Sequence, residues 1–103
     1  MLNLDNGSAT VEVPIDISAP EYRDGAWICD FAIGWPGEPD RSHAAGADSV
    51  QALYLALQKI AVCLYSSEYH QSGRLYLERP GYGYGFPLPL GSRANAVGGD
   101  KKL

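Results

Sequence analysis

The stretch GADSVQALYLALQKIAVCLYSS, residues 46–67, decides the fold, because it is the one long segment with helical periodicity. Val50, Leu53, Tyr54, Leu57, Ile60, Ala61 and Leu64 follow the i, i+3, i+4, i+7 spacing of a single buried face. Gly46 breaks the chain ahead of them and Asp48 is a good N-cap. Gln51 stands three residues later, a variant of the capping box. These signals predict one helix over about 49–65. At about 100° per residue, Gln51, Leu55, Gln58, Lys59 and Val62 fall opposite that stripe. Leu55 and Val62 are then apolar residues on a polar side. They read first as incidental surface hydrophobes, which are ordinary; the alternative is a helix covered on both sides, by the chain's own loops or by a partner.

Outward from the helix, strands dominate. In Ala26 to Trp35, the residues Trp27, Cys29, Phe31, Ile33 and Trp35 share one face, which marks a central strand whose large face packs on the helix. Thr10 to Ile17 alternates too, with Val11, Val13, Ile15 and Ile17 on one side. Pro14 cannot donate to a ladder, so this strand reads as an edge or a bulge. Asp24-Gly25 and Pro36 to Asp40 are turn signals, and Arg41 to Ala45 reads as a short third strand entering the helix cap. Beyond the helix, a polar connection over 66–72 leads to a strand over 74–78.

The sum is an α+β domain, a small antiparallel sheet of three to four strands packed against one long helix. Residues 1–9 read as a flexible N-terminus, 10–90 as the domain and 91–103 as a disordered tail rich in Gly, Ala and polar residues.

Composition narrows the function classes. A hydrophobic fraction of 46% with 19% charged residues excludes a wholly disordered chain. A net charge of −4, without a basic stripe, argues against nucleic acid and fits attraction to a basic protein. The first residues lack the basic and apolar regions of a secretory signal, and no apolar run spans a bilayer, so a cytoplasmic protein is expected. Cys29 and Cys63 are far apart and form no C-x-x-C pair. Buried free thiols are their expected state.

Candidate chemistry is sparse. His43 and His70 lie in polar stretches outside any metal-ligand spacing, so no metal or cofactor is expected. Asp30 is the notable carboxylate, since it sits within the strongest strand. A small ligand-binding domain or minor enzyme would use Asp30, His43, His70 or the Tyr/Gly-rich segment. In that segment, Gly81 to Phe86, the Lys-Ser/Thr pair of a phosphate loop is missing. Its Tyr82, Tyr84 and Phe86 read first as structural cover lying across the domain; the alternatives are a protein contact, because aromatic residues give area at low entropy cost, and a small-ligand or nucleic-acid contact. Together with Leu55 and Val62 they form the candidate partner-binding set.

The pairing of W-I-C-D-F-A-I (Trp27 to Ile33) with G-A-D-S-V-Q-A-L-Y-L-A-L (Gly46 to Leu57), followed by G-Y-G-F-P (Gly83 to Pro87), resembles a small bacterial family, domain of unknown function 6968. The likeness covers roughly Val11 to Pro87. It implies a stand-alone bacterial domain and brings no catalytic residue. The leading expectation is a non-enzymatic protein-binding domain, in its most concrete form a toxin-neutralising, immunity-type inhibitor with a basic toxin as partner. Self-association as a homodimer is a further reading.

Overall fold

A computed structural model describes residues 2–5, 7, 9–77 and 83–87. Its centre is β5 (Ala26–Ile33), the strand whose alternation is strongest. Two short strands, β3 (Ile15–Ile17) and β4 (Glu21–Arg23), pair antiparallel with one edge of β5. The other edge pairs antiparallel with β6 (Asp40–Gly46). Asp24 and Gly25 join β4 to β5 with positive φ at both positions, 50° and 88°, the backbone of the two-residue turn that Asp-Gly favours. Cys29, Phe31 and Ile33 point inward and are buried.

Between β3 and β4 the edge strand carries a bulge. Ile17 pairs with Phe31 and Glu21 with Ile28, so Ser18, Ala19 and Pro20 stand opposite only Cys29 and Asp30. One extra residue reverses the alternation. Asp16 therefore shares the outer face with Glu21 and Arg23, while Tyr22 takes the register of Trp27 on the other face and stays exposed, their rings 5.8 Å apart edge to face.

The inner face of β5 and β6 is covered by α1 (Ser49–Ser66), one residue longer than the sequence suggests. Asp48 Oδ1 accepts the Gln51 N–H at 2.7 Å, and Gln51 Oε1 accepts the Ala47 N–H at 2.6 Å. The first bond satisfies a donor that the first helical turn leaves free, and the second ties the residue before the cap back onto that turn. Gly46 is required where β6 meets the helix, since a Cβ there would lie 2.5 Å from the Ala52 backbone nitrogen.

The helix is rotated from its expected orientation. Its buried residues are Ala52, Ala56, Ile60, Ala61 and Leu64, whereas Val50, Leu53 and Tyr54 are 74%, 38% and 45% exposed. Leu57 is only half-buried. The row 52-56-60-64 faces the sheet because its alanines let the helix axis approach strands that already present Cys29, Phe31, Ile33 and Ala44. Large apolar residues at helical spacing mark Ile60 and Leu64 in that row but not Ala52 and Ala56.

The N-terminus also departs from expectation. Asn3–Asp5 forms β1, which pairs with β2 (Thr10–Glu12) on one side and with β7 (Leu75–Tyr76) on the other. Leu2 and Leu4 are buried in the core, so these residues are packed rather than loose. The expected strand over 10–17 is two strands in two sheets, divided at Val13-Pro14. Val13 N–H donates to the Leu2 carbonyl at 2.8 Å, while the Pro14 carbonyl accepts from Gly34 N–H at 2.7 Å. A proline without an N–H is suited to the point where the chain leaves one ladder for another.

A short helix, α2 (Glu68–Gln71), joins α1 to β7, and Trp35 stacks on its Tyr69 at 4.9 Å. One hydrophobic core joins both sheets, from Leu2, Leu4 and Leu75 to Phe31, Ile33 and Leu64. The tail over 91–103 lies outside the described residues.

Candidate functional site

Because α1 presents alanines to the sheet, its large side chains emerge on the flanks. On the β6 side, Leu55 and Val62 meet Ala44, Ala45, Gln58 and Lys59 around an open groove of about 390 Å³. The structure thus brings together the two helix residues singled out from sequence, although on a flank rather than on the far side. They differ in burial. Leu55 is half-buried and packs against the core, while Val62 is 38% exposed. Lys59 Nζ donates to the His43 carbonyl at 2.8 Å and so covers part of the outer edge of β6. On the opposite flank Val50, Leu53, Tyr54 and Leu57 form a second apolar stripe along the N-terminal half of the helix.

The aromatic members of the candidate set lie elsewhere. Tyr84 is 5% exposed and belongs to the core, which fits structural cover and removes it from the candidate partner-binding set. Its hydroxyl meets His70 Nδ1, lies 3.4 Å from the Leu75 carbonyl, and its ring sits 4.9 Å from that of Tyr65. Phe86 is half-buried and packs, like Tyr65, against Ala61. Tyr82 lies outside the described residues. The glycines explain the inward turn of Tyr84: Gly83 and Gly85 both have φ of 82°, so the backbone reverses on either side of the ring. Burial pushes the His70 imidazole pKa below its ordinary value.

Asp30 and His43 are direct cross-strand partners on the outer face of the sheet, far in function from His70, which serves the core. Asp30 Oδ2 accepts from Arg23 Nη2 at 2.9 Å, and both side chains are about half exposed (50% and 45%). An ion pair this exposed contributes little stability. Arg23, Asp24, Asp30 and His43 rim a shallow depression of about 340 Å³. A second one, about 390 Å³, lies beside Asp30 between Asp16 and Arg41. Arg23 was not legible as a partner of Asp30, because only the bulge places it on that face.

The cysteines are both free. Burial, then the neighbouring Asp30 charge, pushes the Cys29 thiol up, and its Sγ donates to the Ser18 carbonyl at 3.4 Å. Burial and then Asp40 likewise raise Cys63, with Lys59 opposing. Raised thiols are poor nucleophiles. Among the described residues no group of three His, Cys, Asp or Glu side chains is placed to hold a metal ion. No helix among them is long and apolar enough to cross a membrane.

A family model, DUF6968, described as a domain of unknown function, matches residues 1–88. The chain belongs to this family. The DUF6968 match begins earlier than the resemblance read from residues 11–87, and it takes in β1, whose Leu2 and Leu4 neighbourhood completes the core. No curated protein and no solved structure matches the chain.

Proposed function

We propose that this domain is a cytoplasmic, non-enzymatic binding protein that docks another protein against the flanks of its long helix. The observation that carries the reading is the placement of Leu55 and Val62 around one groove, with Val50, Leu53 and Tyr54 exposed on the other flank. Large apolar side chains gathered on one element are characteristic of interaction surfaces. The acidic balance of −4 favours a basic partner, and a toxin neutralised by an immunity-type inhibitor is the concrete form.

The test is a pull-down from the native host with the tagged wild-type chain beside Val62→Asp and Val50→Asp. One stoichiometric basic protein, lost with either variant, supports the proposal. Equal capture by all three refutes a role for the helix flanks. Capture of the chain itself, abolished by the same variants, assigns the surface to a homodimer.

A second reading is favoured by a specific observation, the two depressions that share Asp30 on the outer face. Here Asp30, His43 and Arg23 would bind a small polar ligand. Saturable binding from a metabolite screen, lost in Asp30→Asn with the fold intact, would select it.

A further inference from the structure

Even-numbered residues of β5 turn their backbone groups towards β3 and β4. The Asp30 carbonyl accepts from Ser18 N–H at 2.9 Å, and Gly34 N–H, just beyond the strand, donates to the Pro14 carbonyl. In an antiparallel ladder this makes Cys29–Ala44 and Phe31–Ser42 the hydrogen-bonded pairs, so Arg41, His43 and Ala45 direct their N–H and C=O groups away from β5. The Lys59 ammonium on the His43 carbonyl agrees with that direction. Among the described residues no strand pairs with this outer edge. We propose that it pairs with the same edge of a second copy of the chain, antiparallel about a two-fold axis at Ser42, and that each long helix then fills the Leu55–Val62 groove of the other.

Charge selects the register. Asp40, Ser42 and Ala44 lie on the inner face, because their β5 partners Ile33, Phe31 and Cys29 are buried. Outward-turned residues must meet outward-turned residues, which allows an axis at Arg41, Ser42, His43 or Ala44. An axis at Arg41 sets two guanidinium groups side by side. An axis at Ser42 sets Asp40 of one copy opposite Ala44 of the other, next to the Lys59 that reaches the edge at His43. The other two carry Asp40 away from Lys59, to Gly46 and beyond. Within one chain neither Asp40 nor Lys59 has an ion-pair partner within 4.0 Å among the described residues. The two-fold pairing supplies both, twice.

The helices fit the same arrangement. Lys59 reaches His43, and the Asp40 charge acts on Cys63, so α1 runs antiparallel to β6 and residues 60–62 lie over the axis. Val62 there meets Val62 of the other copy. Because α1 lies over both β5 and β6, a strand spacing of about 4.8 Å puts the two helix axes about 10 Å apart. That matches the 8–10 Å or so of packed helices. A second copy thus brings the strand that the edge lacks together with the helix flank that the groove lacks. This rests on the docking reading for the groove flank alone, which it assigns to the second copy. The Val50 flank faces away from the axis and stays open to another protein. One seven-residue edge and one helix flank make a small interface, so the dimer is of micromolar strength and dissociates on dilution.

The experiment is sedimentation velocity on the purified full chain from about 5 to about 500 µM. The wild type should pass from its 11.1 kDa monomer to a species of twice that mass. Asp40→Lys and Lys59→Asp should each weaken association about tenfold or more, and the two together should restore it. Val62→Asp should weaken it as well, and Val50→Asp should not. A monomer at every concentration, a dimer indifferent to the single swaps, or a combined swap that recovers nothing overturns the proposal. So does stronger association in Lys59→Asp, which would make Lys59 a guard of the edge rather than a contact. A monomeric chain that still captures a basic protein through Val62 would remove the second copy and leave the docking reading standing.

Discussion

Replacing Gly46 by alanine sets two effects of opposite sign against each other. Gly46 is not in a left-handed conformation, so alanine would normally stabilise by about 0.4–1 kcal/mol through the unfolded chain. Here, however, the added Cβ would stand 2.5 Å from Ala52 N and 3.0 Å from Ala52 Cα, about 0.9 Å short of the 3.4 Å where ordinary contact begins. Both are backbone atoms of the first helical turn and cannot rotate aside. Moving that turn strains the Asp48–Gln51 and Gln51–Ala47 bonds, and a lost N-cap costs about 0.5–2 kcal/mol. Overpacking of this kind costs about 1–3 kcal/mol. The clash wins, with an expected net loss of about 2 kcal/mol and a fall in Tm of about 10 °C. Urea unfolding followed by circular dichroism measures it directly. Unchanged or increased stability would show that the helix does not approach β6 this closely, and the capping argument would fail with it.

The orientation of α1 is tested by Ile60→Ala, expected to cost about 2–5 kcal/mol, beside Val50→Asp, expected within about 0.5 kcal/mol of wild type; a loss at Val50 as large as that at Ile60 would restore the stripe read from sequence. The two groove residues should also part company. Leu55→Asp, at a half-buried position against the core, lowers Tm clearly, while Val62→Asp leaves it nearly unchanged, and equal effects in a thermal melt would contradict the packing described. With an aromatic disulfide reagent under native conditions, Cys29 should react only on unfolding and Cys63 slowly, because burial raises both thiols. Rapid labelling of Cys29 would refute its burial.

Much of the fold was legible because the signals were local. The Asp48–Gln51 cap, the Asp24-Gly25 turn and the alternation from Trp27 to Ile33 each fix backbone geometry within a few residues. The candidate site was legible only in part. Leu55 and Val62 did come together, but Tyr84 proved to be core, since its aromatic character says equally that it can fill an interior or cover a surface.

The sequence by itself determined the existence of the long helix, its cap, the central strand and the α+β class, all consequences of short-range periodicity and turn chemistry. Tertiary structure alone decided which way the helix faces, that Thr10 to Ile17 divides between two sheets, that Leu2 and Leu4 join the core, and that His70 meets Tyr84. The physical reason is common to these cases. Close packing rewards whatever fits between two particular surfaces, and small residues such as Ala52 and Ala56 fit there without leaving a hydrophobic pattern strong enough to be read along the chain.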